Sequence, residues 1–155
     1  MKVKFFIIIS LLGLSVISAC KKDSDQLKID DDLIKKYLTD NNLVAEKTPN
    51  GLYYTIENPG TGATPQATST VTAHYEGKLL NGTVFDSSYD RGTPSTFTLS
   101  QTILGWQEGV PKIKVGGTIY LYVPSHLGYG ENALQSIPAN SVLVFKVNLL
   151  KINAL

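Results

Sequence analysis

Val71-Thr72-Ala73-His74-Tyr75-Glu76-Gly77 alternates apolar and polar residues with a period of two. Successive side chains of a strand point to opposite faces, so Val71, Ala73 and Tyr75 share one face and Thr72, His74 and Glu76 the other. Two further runs repeat the pattern. Ile119, Leu121 and Val123 alternate with Thr118, Tyr120 and Tyr122. Leu143, Phe145, Val147 and Leu149 alternate with Val144, Lys146 and Asn148. Each run predicts a strand in a sheet with one face buried. Asn81-Gly82 is a tight-turn dipeptide between two strand candidates. Leu52 to Glu57 reads as another strand, between the turn clusters Thr48-Pro49-Asn50-Gly51 and Asn58-Pro59-Gly60-Thr61-Gly62. One segment departs from period two. Ile103, Trp106 and Val110 are spaced by three and four, which predicts a short helix whose apolar face covers the sheet. Antiparallel strands with one helix on a face make an α+β domain.

The chain has 155 residues, 43% hydrophobic and 17% charged, which suits one ordinary globular domain with a leader and a short extension. Lys2 and Lys4 account for two of its 14 basic residues, leaving 12 against 13 acidic ones and a net charge of −1 from Cys20 onward. That balance carries no electrostatic footprint for nucleic acid. One cysteine excludes an internal disulfide, and with two histidines it cannot supply a tetrahedral Cys/His zinc site.

The N-terminal stretch has its own logic. Lys2 and Lys4 precede an apolar run from Phe5 to Ile9 that continues through Leu11, Leu12, Leu14, Val16 and Ile17. A positive start, a short apolar core and small residues describe a secretory signal peptide. Ile17-Ser18-Ala19-Cys20 resembles the bacterial lipobox, in which the cysteine sulfur carries the lipid after cleavage. Residues 1–19 are therefore expected as a lipoprotein signal peptide and Cys20 as the lipid attachment site; an ordinary leader with a chance cysteine is the alternative. Lys21-Lys22-Asp23-Ser24-Asp25 reads as a solvated tether. Asp30-Asp31-Asp32 followed by Leu33, Ile34, Tyr37 and Leu38 predicts a short helix near residues 30–41, with the acidic run at its N-terminus. Asp31 with Lys35, and Asp32 with Lys36, are spaced to pair, and Asn41-Asn42 is expected to stop the helix. This helix either packs on the main domain or acts as a spacer.

Val71-Thr72-Ala73-His74-Tyr75-Glu76-Gly77, Gly82-Thr83-Val84-Phe85-Asp86-Ser87-Ser88, Ile103-Leu104-Gly105-Trp106-Gln107-Glu108-Gly109, Leu127-Gly128-Tyr129-Gly130, Ile137-Pro138 and Leu143-Val144-Phe145 follow in order. Together they resemble the FKBP-type peptidyl-prolyl cis-trans isomerases over about residues 52–152. The resemblance implies a twisted antiparallel β-sheet wrapped around one short α-helix, as a domain at 51–155 with its core at 69–155, after a tether and short helix at 20–50. It implies isomerisation of the bond before proline, with no metal, no cofactor and no covalent intermediate.

Amide resonance resists rotation by about 18–20 kcal/mol. The half-rotated amide has less charge separation, so an apolar pocket that binds it more tightly than either planar form lowers the barrier. By the resemblance Trp106 is the pocket floor, Tyr75, Phe85 and Phe145 are walls, and Ile103 and Ile137 form the rim. Tyr129 donates its hydroxyl to a substrate carbonyl. Asp86 stands at the pocket edge, and Arg91 pairs with it and packs on Tyr75. On residue type alone, Tyr75, Phe85 and Phe145 read equally as core, Asp86 as a turn former and Arg91 as a surface charge. His74 points away from Tyr75 and reads as structural or exposed.

Several positions depart from the family pattern. Ser95 stands where many relatives place an aromatic, which predicts a more open rim; Leu127 replaces a frequent tyrosine, Thr102 a common valine, and the loop from Glu131 to Ser136 is short and lacks the usual histidine. These departures bear on the residue preferred before proline and on affinity for macrolide inhibitors. The expected partners are proline-containing polypeptide clients and a membrane reached through the lipid anchor. The expected location is the cell envelope, on the outer membrane, at its periplasmic or surface face. A pocketed binding module with little catalysis is the competing reading, separated by a cis-prolyl peptide assay. A hydrolase has no Gly-x-Ser-x-Gly elbow to build on.

Overall fold

The computed structural model describes residues 16–153. Seven antiparallel strands form one sheet: β1 (Glu46–Lys47), β2 (Tyr53–Asn58), β3 (Thr70–Leu79), β4 (Val84–Ser87), β5 (Ser95–Thr98), β6 (Thr118–Val123) and β7 (Leu143–Asn153). The order is β1-β2-β6-β7-β3-β4, with β5 also pairing on β3. The long strand β7 thus lies between β6 and β3, two of the alternating runs. The Asn81-Gly82 turn joins β3 to β4, with Gly82 at φ +89° and the Asn81 side chain accepting the Thr83 N–H.

The alternation holds where it was expected. Val71, Ala73, Tyr75, Ile119, Leu121, Val123, Leu143, Phe145, Val147 and Leu149 form one core with Trp106, Val110 and Leu127. The short helix α2 (Leu104–Gly109) lies on this face. Its two glycines let its backbone sit close to β6. A Cβ at Gly105 would stand 2.6 Å from Val123, and Gly109 is similarly crowded by Leu121.

The expectation of one buried face is overturned. Tyr122 and Val144, on the opposite side of the same strands, are also buried, and they pack with Ile34, Leu38, Tyr53 and Val142 in a second core. The cause is a long N-terminal helix, α1 (Val16–Asp40), docked across the back of the sheet. The stretch at 21–25, expected as a tether, belongs to this helix, and Asp30-Asp31-Asp32 lies in its interior rather than at its start. Nothing from 16 to 40 is Gly or Pro, and charged residues four apart support a helix as well as a tether. Lys28 pairs with Asp32 and Lys36 with Asp40, each at 2.7 Å, in place of the expected Asp32–Lys36 pair, whereas Asp31–Lys35 forms as expected at 2.7 Å. Leu33, expected on the apolar face, is exposed, and Asp30, Ile34 and Leu38 point inward.

The helix ends at the asparagines. Asn42 takes φ +54°, and the N–H groups of Leu43 and Asn42 return to the carbonyls of Leu38 and Thr39 at 2.8 and 3.1 Å, a Schellman cap. Among the described residues no helix is long and apolar enough to cross a membrane. Residues 1–15, and most of the expected signal peptide with them, lie outside the described residues.

Candidate functional site

A cavity of about 500 Å³ opens between α2 and the inner face of the sheet. Its size is in the usual range for a small-molecule or peptide side-chain site. Trp106, from α2, is 4% exposed, so only one part of the indole can meet a ligand. Tyr75, Phe97 and Phe145 stand edge-on to it, with ring centroids 5.4, 5.1 and 5.6 Å away. Phe85 completes the set, edge-on to Phe145 at 5.6 Å. Each such pair contributes about 0.5–1.5 kcal/mol beyond burial, so the rings hold one another in place.

Gly77 explains why this clustering is achievable. It pairs with Asp86 on β4 and Phe145 on β7. A Cβ there would come within 2.6 Å of the Phe85 ring and 2.8 Å of the Phe145 ring. The missing side chain leaves room for both rings; a glycine inside a strand pattern often marks such a close approach.

The polar edge of the cavity is equally organised. The Tyr75 hydroxyl donates to Asp86, whose other oxygen takes the Arg91 guanidinium. The same guanidinium donates to the Tyr75 oxygen at 2.9 Å and to Ser95 Oγ at 3.3 Å, and it lies 5.6 Å from the Tyr75 ring. Burial opposes ionisation of Asp86, but its bonds from Tyr75 and Arg91 outweigh this and hold the carboxyl below its ordinary pKa. Burial, and next the bond to Asp86, push the Tyr75 hydroxyl up. Burial likewise raises Tyr129, with the Asp86 charge adding to it. A fixed carboxylate therefore stands beside two neutral hydroxyls.

The turn after β4 is set by serines. Buried Ser88 accepts the Tyr75 N–H at 2.7 Å and donates to the Tyr75 carbonyl at 3.1 Å, and Ser87 Oγ accepts the Asp90 N–H at 3.1 Å. His74 faces away from the cavity. It bonds Ser88 at 3.0 Å and stacks on Tyr89 with centroids 4.8 Å apart, a structural role.

Of the predicted residues, Tyr75, Phe85, Asp86, Ile103, Trp106, Tyr129, Ile137 and Phe145 all line the cavity. Arg91 stands behind Asp86 rather than on the wall. Sequence reasoning missed Phe97, Gln101, Leu134 and Gln135; Thr102 and Ser136, noted only as departures, line the cavity too. Ser95, where a more open rim was expected, does not line the cavity and accepts a bond from Arg91, whereas Phe97 does line it. Phe97 lies two residues on, on the same strand face, with its ring edge-on to Trp106. Strand alternation across Ser95-Thr96-Phe97 was the available signal. Leu127 is buried in the main core. Cys20 lies within α1. Among the described residues no group of three His, Cys, Asp or Glu is placed to hold a metal ion.

Known proteins share this fold. The family model for FKBP-type peptidyl-prolyl cis-trans isomerase matches residues 62–150. FKBP-type peptidyl-prolyl cis-trans isomerase FkpA of Aeromonas hydrophila is 54% identical over 107 residues, covering 69% of this chain and 40% of that protein. Peptidyl-prolyl cis-trans isomerase Mip of Coxiella burnetii is 48% identical over 104 residues, covering 66% and 45%. The chain thus spans less than half the length of these two curated relatives. The crystal structure of FkpA from Escherichia coli superposes with a TM-score of 0.74 at 36% identity, over 88% of this chain and 63% of that one. That of AtFKBP13 superposes at 0.66 with 34% identity, over 71% and 99%.

Proposed function

Since this chain belongs to the FKBP-type peptidyl-prolyl cis-trans isomerase family, we propose that it accelerates rotation about X–Pro bonds by holding the half-rotated amide in the aromatic cavity. The observation that carries this reading is the floor and walls of Trp106, Tyr75, Phe85, Phe97 and Phe145 beside a fixed Asp86. The prolyl ring lies on the indole. The walls exclude water, which favours an amide that has lost its charge separation over the planar, polar forms. Asp86 faces the rotating carbonyl carbon, and Tyr129 donates to the neighbouring carbonyl oxygen. No bond is made or broken, so the chemistry asks only for differential binding. A macrolide whose ring mimics a prolyl group competes for the same cavity.

Cys20 is the proposed lipid attachment site, and proline-containing polypeptides of the cell envelope are the proposed clients. Several acyl chains, each methylene contributing about 0.8 kcal/mol on burial, anchor the chain to a bacterial membrane. Mass spectrometry of the chain made in a bacterium with lipoprotein processing is expected to show diacylglycerol on Cys20 and none in Cys20→Ala.

The full chain is expected to accelerate cis-to-trans conversion of a short proline peptide. Asp86→Leu and Phe85→Tyr should each lower kcat/KM by about tenfold or more, with the circular dichroism unchanged. No acceleration by the wild-type chain would replace catalysis with peptide binding alone. Activity that survives both substitutions would move the site elsewhere.

A further inference from the structure

Asp30 is a fully buried carboxyl group on the inner face of α1, next to Ile34 and Leu38. It accepts three hydrogen bonds. Gln26 Nε2 donates to Oδ1 at 2.7 Å, and the backbone N–H and hydroxyl of Ser125 donate to Oδ2 at 2.8 and 2.6 Å. Ser125 is 95 residues away in sequence and is itself buried. It begins a 3-10 turn, Ser125–Leu127, that leads into Gly128-Tyr129-Gly130. The Ser125 carbonyl in turn accepts the N–H groups of Gly128 and Gly130, both at 2.9 Å. Tyr129 is thus suspended between two glycines tied to one carbonyl, and that residue's N–H and hydroxyl are tied to Asp30.

A carboxyl group is a costly way to glue a helix to a sheet. Ile34, Leu38, Tyr122 and Val144 already supply an apolar seam there, and replacing a buried polar set by apolar residues is often neutral or stabilising. What Asp30 adds is direction: two bonds into one oxygen fix both the backbone and the side chain of Ser125. The Tyr129 hydroxyl reaches the cavity edge and makes no hydrogen bond with any described residue. Nothing at the hydroxyl itself holds it, so its place depends on the loop below.

We propose that Asp30 is a positioning residue that sets the Tyr129 hydroxyl for substrate through Ser125, making α1 part of the catalytic apparatus. The inference rests on the isomerase reading above. It separates from that reading because one arm of its test does not use catalysis.

In the full chain, Asp30→Ala is expected to lower kcat/KM for a proline peptide by about three- to tenfold. Asp30→Asn keeps an acceptor for Ser125 and should stay within about twofold of wild type, and Ser125→Ala should fall between the two. In a Tyr129→Phe background the loss from Asp30→Ala should shrink below about twofold, since residues acting through one group are not additive. Hydrogen exchange at the Gly128 and Gly130 amides should quicken in Asp30→Ala and not in Asp30→Asn. Losses that simply add in the double variant would make Asp30 structural only and overturn the proposal, as would unchanged exchange at both glycines. If the wild type is inactive, the isomerase reading fails, while the exchange arm still decides whether Asp30 holds the loop.

Discussion

At Gly77 a hydrogen atom stands where any other residue would put carbon between two cavity rings. Gly77→Ala must displace Phe85, Phe145 or both. It is expected to cost about 1–3 kcal/mol of stability, read by urea unfolding, together with a drop in kcat/KM larger than that of a substitution elsewhere in the core. Asp86 makes a second residue-scale prediction. Its folded pKa lies below 3.8 because Tyr75 and Arg91 outweigh burial. The carboxylate therefore stays charged across neutral pH, and activity that needs it falls only as pH drops through that lowered value. Arg91→Ala removes one source of the lowering. The acid limb of the kcat/KM profile should then move to higher pH, since burial is opposed only by the bonds from Tyr75 and the Ser87 backbone N–H.

At the scale of elements, α1 is pinned to the sheet by more than its apolar seam. Asp31 takes Lys35 at 2.7 Å, and on its other oxygen Lys47 at 2.5 Å and the Tyr53 hydroxyl at 2.8 Å. The bonds from Lys35 and Lys47 hold the Asp31 carboxyl well below its usual range, and burial together with Asp31 pushes Tyr53 up to about 12. A carboxyl with a lowered folded-state pKa contributes stability that is complete above its unfolded value and is lost as pH falls through the folded one. Docking of α1 should therefore weaken below about pH 4. Asp31→Asn should lower the midpoint of urea unfolding at pH 7 and make it less sensitive to acid. Strands β3, β6 and β7 were legible beforehand because period two leaves a plain mark, whereas the short β1 and β5 were not; the motif residues of the cavity were legible through the family resemblance. Packing of α1 on the main domain was one of two open readings and is the one found; its length and inward face were not legible, because that face carries Asp30, a residue type that reads as solvent-facing. Tyr122 carries a hydroxyl and sits at an outward position of β6, so its burial left no mark either. Phe97 left no mark because β5 is four residues long and mostly polar, too short for alternation to stand out.

For the molecule as a whole, the sheet is covered on both sides, by α2 and the cavity rings in front and by α1 behind. Strands β6 and β7 contribute alternate residues to both cores. Ile34→Asp places a charge in the rear core and should cost about 3 kcal/mol or more. Urea unfolding should show the loss. Sedimentation should show self-association once Tyr122, Val142 and Val144 are uncovered. The front cavity carries its own consequence. Trp106 is the single tryptophan of the chain and lines the cavity. Its fluorescence therefore comes from one known place, and a shift in emission when a proline peptide is added reads occupancy directly, without a label.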